Sequence, residues 1–272
     1  QGTLTLSINS QTFWNSYCVK YCVIFALQRR IVNGQDTIPN EYPMMAGIVE
    51  RGGSTITCGA TIISKRYVVT AAHCLKGKEA SNLAVVVGEH DISRGDDTPA
   101  TKAYRVANFR IHPNYNENNY DFDIAILALT EDIMLSENVL PVCLPFKFIN
   151  YSFAGETVTM LGWGTIFIGG PKSDVLQKVD VKVISQSDCQ QSVAGLTSRQ
   201  MCTYTPGRDA CQFDSGGPVL FTDRQTSLLF LPGVISSGEL CASLNKPGLN
   251  TRITQNLLDW IVRTAPDDYC VK

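Results

Sequence analysis

The chain has 272 residues, of which 44% are hydrophobic and 18% are charged, and its formal net charge is −2. This composition supports a large folded core and excludes a disordered tail or a coiled coil. Because there is no basic excess and no long Lys/Arg run to hold a polyphosphate backbone, we expect no nucleic-acid partner.

Residues 1–30 differ in composition from the rest of the chain. They contain the polar stretch NSQTFWNS, two cysteines and the dibasic pair Arg29-Arg30. We interpret this segment as a propeptide or as the tail of an upstream domain. Its apolar run from Tyr21 to Leu27 is far shorter than the roughly 20 residues that cross a bilayer, so no membrane span is predicted.

From Ile31 onward, short β-rich runs alternate with clusters of Gly, Pro, Asn and Asp. The runs ATIIS, KRYVVTAA, LAVVVGEHD and DIAILALT are typical of strands in an all-β protein. A period of 3.6 residues appears only near the end and predicts one closing helix from about Thr254 to Thr264. About 240 residues of short strands suit two packed barrels or a pair of sandwiches.

The cysteine content indicates the compartment. Ten cysteines are more than a reducing compartment usually holds unless they bind metal. Metal sites would show paired C-x-x-C or Cys/His clusters, and the sequence has no such pair of pairs. The spacing therefore predicts a disulfide framework in an exported protein. The sequon Asn150-Tyr151-Ser152 is compatible with export and makes Asn150 a candidate glycosylation site.

Three short segments carry side chains that together suit attack on a peptide carbonyl. That reaction needs a hydroxyl beside a base, a carboxylate that fixes the tautomer of the base, and donors for the oxyanion. TAAHC contains His73, DFDIAIL contains Asp123, and CQFDSGGP contains Ser215. Asp123 precedes an apolar run typical of a buried strand, where an acid requires a partner, and His73 would be that partner. His90 and His112 are expected to be surface residues.

Residues 31–272 resemble the trypsin-like serine protease family. The resemblance rests on RIVNG at the start, the TAAHC and DSGGP boxes, LGWGT and the PG-x-x-TR segment, all in the order found in the family. It implies two packed six-stranded antiparallel β-barrels with the catalytic cleft between them, and a C-terminal helix. EYPMMAGIVE and CQFDSGGP are similar to arthropod members of the CUB-associated or venom type.

The resemblance also implies a zymogen that is activated by cleavage after Arg30. The new amine of Ile31 would pair with Asp214 and shape the specificity pocket and the oxyanion hole. The oxyanion donors would be the backbone N–H groups of Phe213 and Ser215. Phe213 departs from the family, which nearly always has Gly there.

Specificity is implied by five further residues of the same resemblance. Asp209 matches the residue at the base of the primary specificity pocket, in a slot walled by Gly238 and Gly248, and a carboxylate there favours a cation before the scissile bond. Ala210 replaces a hydroxyl that many relatives carry, which should disfavour Lys more than Arg. Ser236 belongs to the same predicted substrate-binding set. We expect cleavage after Arg, then Lys.

The disulfides are likewise implied by the resemblance. Three pairs match the family, namely Cys58–Cys74, Cys189–Cys202 and Cys211–Cys241. Cys143 matches the position that tethers a propeptide after cleavage, with Cys18 or Cys22 as its mate, and Cys270 would take the other.

No cofactor is expected. Glu89, Asp91, Asp96 and Asp97 crowd a loop where some relatives bind calcium, but acidic loops are mostly just solvated. The expected partners are protein or peptide substrates, an activating protease and protein inhibitors, in an extracellular setting. The alternative is a catalytically silent protease homologue that binds partners, which the intact set of His, Asp and Ser disfavours.

Overall fold

A computed structural model describes residues 35–53, 55–94, 97–165, 170–206, 214–237 and 246–270. Within these ranges the chain forms thirteen β-strands and two α-helices, beginning with the short strand β1 (Gln35–Asp36). Neither of these helices combines the length and the apolar character that crossing a bilayer requires. The all-β prediction is confirmed. The predicted domain boundary at residue 30 lies outside the described residues.

Six antiparallel strands close into the first barrel. In chain order they are β2 (Met45–Glu50), β3 (Ile56–Ile62), β4 (Tyr67–Thr70), β5 (Leu83–Val87), β6 (Lys102–Ile111) and β7 (Ala125–Leu129). They pair in the order β2-β3-β4-β7-β6-β5, and β5 returns to β2, so the barrel has no free edge. Alternate side chains point inward, and Val85, Val68 and Leu127 are among the buried residues that fill it.

The second half is a seven-stranded antiparallel sheet. It adds β8 (Thr157–Gly162), β9 (Gln177–Lys182), β10 (Gln200–Thr203), β11 (Pro218–Thr222), β12 (Leu229–Ser237) and β13 (Gly248–Arg252). The strand order is β1-β9-β8-β11-β12-β13-β10. Beyond β9, Val183 forms a bridge with Thr203 of β10, and the N–H of Ile184 donates to the carbonyl of Cys202 at 3.0 Å. Through these contacts the strands β8 to β13 form a second barrel, as predicted, and β1 pairs with β9 as an additional strand.

The two helices are α1 (Gln186–Ser192) and α2 (Gln255–Thr264), and α2 is the predicted closing helix. Thr254 has extended backbone angles and is the N-cap residue, so α2 begins one residue later than its periodicity indicates. Its buried residues Leu257, Leu258 and Ile261 belong to a core cluster with members from both barrels. Burial of each such side chain contributes about 1.5–3 kcal/mol, so α2 helps to hold the barrels together.

The sequence pattern does not predict α1. The helix has seven residues and a single buried one, Cys189, so no apolar period of 3.6 can develop. The available signal is Ser185, whose hydroxyl accepts a hydrogen bond from the N–H of Asp188 at 3.1 Å and caps the helix. The disulfide between Cys189 and Cys202 then joins α1 to β10.

Candidate active site

His73, Asp123 and Ser215 lie on three loops where the barrels face each other. His73 follows β4, Asp123 precedes β7, and Ser215 precedes β11. Nδ1 of His73 lies 2.7 Å from Oδ2 of Asp123, and the backbone N–H of His73 donates to Oδ1 at 2.9 Å. With its proton on Nδ1, the imidazole keeps Nε2 available to accept a proton. The structure therefore brings the predicted base and its orienting carboxylate together.

Asp123 is fully buried, with 0% of its surface exposed, and the second barrel supplies further donors. Ser236, on β12, donates its hydroxyl to Oδ2 at 2.5 Å. Thr251, on β13, donates its hydroxyl to the backbone carbonyl of Asp123 at 2.8 Å. The bonds from Ser236 and His73 replace water that the carboxylate loses and so offset the cost of burying it, whereas the Thr251 bond satisfies the backbone carbonyl. The sequence places Ser236 in the substrate-binding set but gives no sign of this contact.

Ser215 is linked to the same network through the backbone of β12. Its Oγ donates to the carbonyl oxygen of Ser236 at 3.2 Å. For attack on a substrate, the hydroxyl must instead donate to Nε2 of His73. Such catalytic hydrogen bonds commonly form only when substrate is bound, so the observed orientation is compatible with nucleophilic chemistry.

Glycines let the turn that holds Ser215 press against the first barrel. The carbonyl of Ser215 accepts a hydrogen bond from the N–H of Gly59 at 2.8 Å. Gly216 has a φ of 83°, and a Cβ there would collide with Thr70 and with the carbonyl of Gly59. A Cβ on Gly59 would come within 2.8 Å of the Cα of Gly217. No larger residue fits this approach without moving the turn.

Asp214, the predicted partner of the activating amine, points toward the LGWGT segment. Its Oδ1 accepts a hydrogen bond from the N–H of Gly164 at 2.8 Å. A Cβ on Gly162 would collide with the Asp214 side chain, so this carboxylate occupies a slot that glycine keeps open. Arg30 and Ile31 lie outside the described residues, and the predicted ion pair stays a prediction.

The chain matches the family described as Trypsin over residues 31–261. It belongs to the trypsin family. It is 44% identical over 247 residues to Venom serine protease 34 of Apis mellifera, an alignment that covers 89% of this chain and 60% of the bee protein. It is 43% identical over 247 residues to Venom serine protease of Polistes dominula, covering 89% and 87% of the two chains. For Trypsin-1 of Astacus astacus the identity is 34% over 244 residues, covering 86% and 100%.

The similarity to arthropod trypsin-family proteases that the motifs suggest is thus confirmed. The chain spans 60% of the length of the bee relative, so that protein has further sequence with no counterpart in the alignment.

Part of the predicted trypsin-family site falls on positions that the structure does not describe. These are Asp96, Asp209, Ala210, Phe213 and Gly238, together with Cys18, Cys22, Cys211 and Cys241. Gly248 is described and lies buried at the start of β13. Both barrels contain an implied disulfide, Cys58–Cys74 in the first and Cys189–Cys202 in the second.

Cys143 and Cys270 are both buried and share one apolar cluster with Leu228 and Phe230. Cys270 is disulfide-bonded. The tether that the resemblance implies for Cys143 stays a prediction, because Cys18 and Cys22 are not described.

The other two histidines are not surface residues, contrary to prediction. His112 is 7% exposed, and its ring stacks on Phe122 with centroids 4.4 Å apart and lies 4.8 Å from Trp260. Burial lowers the pKa of His112 to about 4, so the ring packs as a neutral aromatic group. Nε2 of His90 lies 2.8 Å from the carbonyl oxygen of Thr37. Trp260 and Thr37 come from distant parts of the chain, which the local sequence does not reveal.

The acidic loop after β5 uses its carboxylates to bind its own backbone. The carboxylate of Glu89 accepts from the N–H of His90 at 3.0 Å, and that of Asp97 accepts from the N–H of Asp91 at 2.8 Å. Burial raises the pKa of Glu89 to about 7. The expectation of no cofactor, with calcium in this loop as the alternative, stays a prediction.

Within the part of the chain that the structure describes, one group of three side chains with possible metal-ligand atoms within 4.8 Å of one another is found, Cys58, His73 and Cys74. Two of these are joined in a disulfide, and a disulfide sulfur lacks the thiolate charge that binds metal. We therefore assign the cluster to the catalytic loop and not to a metal centre.

Proposed function

We propose that this trypsin-family chain is a secreted serine endopeptidase, made as a zymogen, that hydrolyses peptide bonds after Arg and less readily after Lys. One observation carries the proposal. Asp123 bonds to His73 and, through Ser236, is linked to Ser215, so the three residue types needed for acyl transfer share one hydrogen-bonded network. In this proposal Asp123 orients the base, His73 moves the proton and Ser215 is the nucleophile.

The proposed reaction proceeds in two steps. Oγ of Ser215 attacks the carbonyl carbon while its proton passes to Nε2 of His73, and the N–H groups of Phe213 and Ser215 stabilise the oxyanion. His73 then gives that proton to the leaving amine as the peptide bond breaks, which leaves an acyl-enzyme. His73 next takes a proton from water as that water attacks the ester carbon, and it gives the proton to Oγ of Ser215 as the ester bond breaks and the carboxylic acid product leaves. Asp123 stabilises the imidazolium that forms in each step.

Several features support secretion and zymogen activation. Ten cysteines with two disulfides in the described barrels fit an oxidising compartment, and the relatives in Apis and Polistes are named as venom proteases. Residues 1–30 would be a propeptide or an upstream tail that stays attached through Cys143. A separate protease would cleave after Arg30, and protein inhibitors would bind the same cleft as substrates.

A fluorophosphonate probe tests the proposal, because labelling requires the nucleophile, the base and the oxyanion hole together. We expect protein that has been cleaved by immobilised trypsin to be labelled at Ser215. Ser215→Ala should remain unlabelled, and Arg30→Gln should remain unlabelled after the same treatment. A wild-type chain that is cleaved after Arg30 yet takes up no probe would favour the silent homologue instead. Full labelling of Arg30→Gln would contradict the zymogen.

The preference for Arg gives a second, quantitative prediction. We expect kcat/KM for an Arg chromogenic peptide to exceed that for the matched Lys peptide by about tenfold. The guanidinium can bind Asp209 directly, whereas an ammonium meets the acid largely through bridging groups, one of which Ala210 no longer supplies. The control is Ala210→Ser, which should narrow the ratio. Equal kcat/KM for the two wild-type reactions would refute this specificity.

A further inference from the structure

The segment that delivers Asp123 has a backbone conformation that its residues do not favour. Tyr120 has a φ of 56° and Phe122 a φ of 54°, both in the left-handed region. For residues with a Cβ this region costs about 1–2 kcal/mol each, so surrounding structure has to impose it. Phe122 directly precedes the carboxylate that binds His73, which makes the source of this constraint relevant to the site.

The second barrel contacts this segment through Arg199. Its Nε donates to Oδ1 of Asp121 at 2.9 Å and its Nη2 to Oδ2 at 2.6 Å, a two-pronged ion pair. Its guanidinium carbon also lies 4.4 Å from the centroid of the Phe122 ring. One side chain therefore holds two consecutive residues of the segment that ends at Asp123.

The carboxylate of Asp121 is held in the ionised form that pairs with Arg199. It is 9% exposed, and its Oδ1 also accepts a hydrogen bond from the hydroxyl of Thr197 at 2.8 Å. Burial acts to raise the pKa of Asp121, but the hydrogen bonds from Arg199 and Thr197 outweigh it and hold the pKa below the usual value. The carboxylate is thus ionised at neutral pH, and the pair would weaken only in acid, as pH falls through that lowered pKa.

The backbone around Arg199 is fixed relative to Asp123 by β13. The carbonyl of Arg199 accepts a hydrogen bond from the N–H of Arg252 at 2.8 Å. Thr251, the neighbour of Arg252, bonds the carbonyl of Asp123 at 2.8 Å. Strand β13 therefore bonds to the backbone of both Arg199 and Asp123 and fixes the position of one relative to the other.

We propose that Arg199 is a positioning residue for the serine-protease reaction, acting through Asp121 and Phe122 to set the place of Asp123 and hence the orientation of His73. In this proposal Arg199 does not touch the reacting atoms. The proposal rests on the proposed function, because it assigns a role within the same reaction. A positioning role differs from a purely structural one, because loss of the Arg199 contacts with Asp121 and Phe122 would misplace His73 even in molecules that remain folded.

The test compares Arg199→Ala with Arg66→Ala. Arg66 also forms an ion pair, with Asp132 at 3.0 Å, and donates to the backbone carbonyl of Leu129, but it lies on the first barrel away from the site. We expect Arg199→Ala to lower kcat on a small Arg substrate by about tenfold, with KM within twofold, because a misplaced base affects chemistry more than binding. Arg66→Ala should leave kcat within twofold. All rates are expressed per site labelled after the probe reaction has run to completion, so that slower labelling of a variant does not alter the count and unfolded protein is left out of the comparison.

Two further readouts separate positioning from stability. The downfield proton NMR signal of the Nδ1–H between His73 and Asp123 should shift or broaden in Arg199→Ala and stay unchanged in Arg66→Ala. Arg199→Lys, which keeps the charge but loses the fork, should restore part of kcat. If Arg199→Ala does not fold, Asp121→Asn removes the ion pair with little change in shape and should show the same loss.

The proposal is overturned if kcat per labelled site in Arg199→Ala, or in Asp121→Asn where the first variant does not fold, stays within twofold of wild type. A wild-type chain with no peptidase activity would instead refute the proposed function. In that case the test of the positioning role is the Nδ1–H signal of His73, compared between wild type and Arg199→Ala or Asp121→Asn. An unchanged signal in the variant overturns the positioning role.

Discussion

Asp123→Asn is expected to lower kcat on a small Arg substrate by about 10⁴-fold at neutral pH while the chain stays folded. Oδ2 accepts from both Nδ1 of His73 and the hydroxyl of Ser236, and Oδ1 accepts from the backbone N–H of His73. An amide has one acceptor oxygen, so its NH₂ group must face one of these donors. The arrangement that relieves the clash favours the tautomer with the proton on Nε2 of His73, which cannot accept the proton of Ser215.

The measurement is kcat per folded molecule. The concentration of folded protein is taken from urea unfolding, because the variant will react poorly with active-site probes. Asp132→Asn is the matched control. It makes the same chemical change at an exposed carboxylate that pairs with Lys65 and Arg66, and kcat should stay within twofold. A loss of less than about 100-fold in Asp123→Asn would contradict the orienting role of this carboxylate.

Much of the fold and of the site could be predicted because the informative signals are local. Short apolar runs such as LAVVV, bounded by polar and turn-forming residues, indicate strands, and β5 is one of them, although only the structure shows that alternate residues along it are fully buried. Leu257, Leu258 and Ile261 likewise report the buried face of α2. His73, Asp123 and Ser215 each stand in a short segment whose neighbours are needed to shape the loop.

Contacts between the barrels could not be predicted in the same way. Asp121 and Arg199 are 78 residues apart, and nothing in either local segment indicates the other. His112 shows the same limit, because its polar character suggests exposure while Trp260 of the C-terminal helix lies against its ring. Such partners are selected by how the two barrels pack, which depends on every strand at once.

The tightest of these inter-barrel contacts yields a further prediction. Gly216→Ala is expected to lower the free energy of unfolding by about 3 kcal/mol and kcat/KM by at least about 100-fold. An added Cβ would collide with Thr70 and with the carbonyl of Gly59, the residue whose N–H holds the carbonyl of Ser215. The turn must move to relieve this collision, and a shift of about 1 Å in the Ser215 hydroxyl is enough for a loss of that size.

Gly155→Ala separates the collision from backbone strain. Gly155 has the same φ of 83° as Gly216, but nothing lies within 4 Å of an added Cβ. The free energy of unfolding of Gly155→Ala should fall by only about 1 kcal/mol, the cost of placing alanine in the left-handed region, and its kcat/KM should not change. Urea unfolding gives the two free-energy changes, and an Arg chromogenic peptide gives the two rate changes. Equal destabilisation of both variants, with kcat/KM of Gly216→Ala within tenfold of wild type, would mean that the first barrel yields to the added methyl group and that close packing at Gly59 does not hold Ser215 in place.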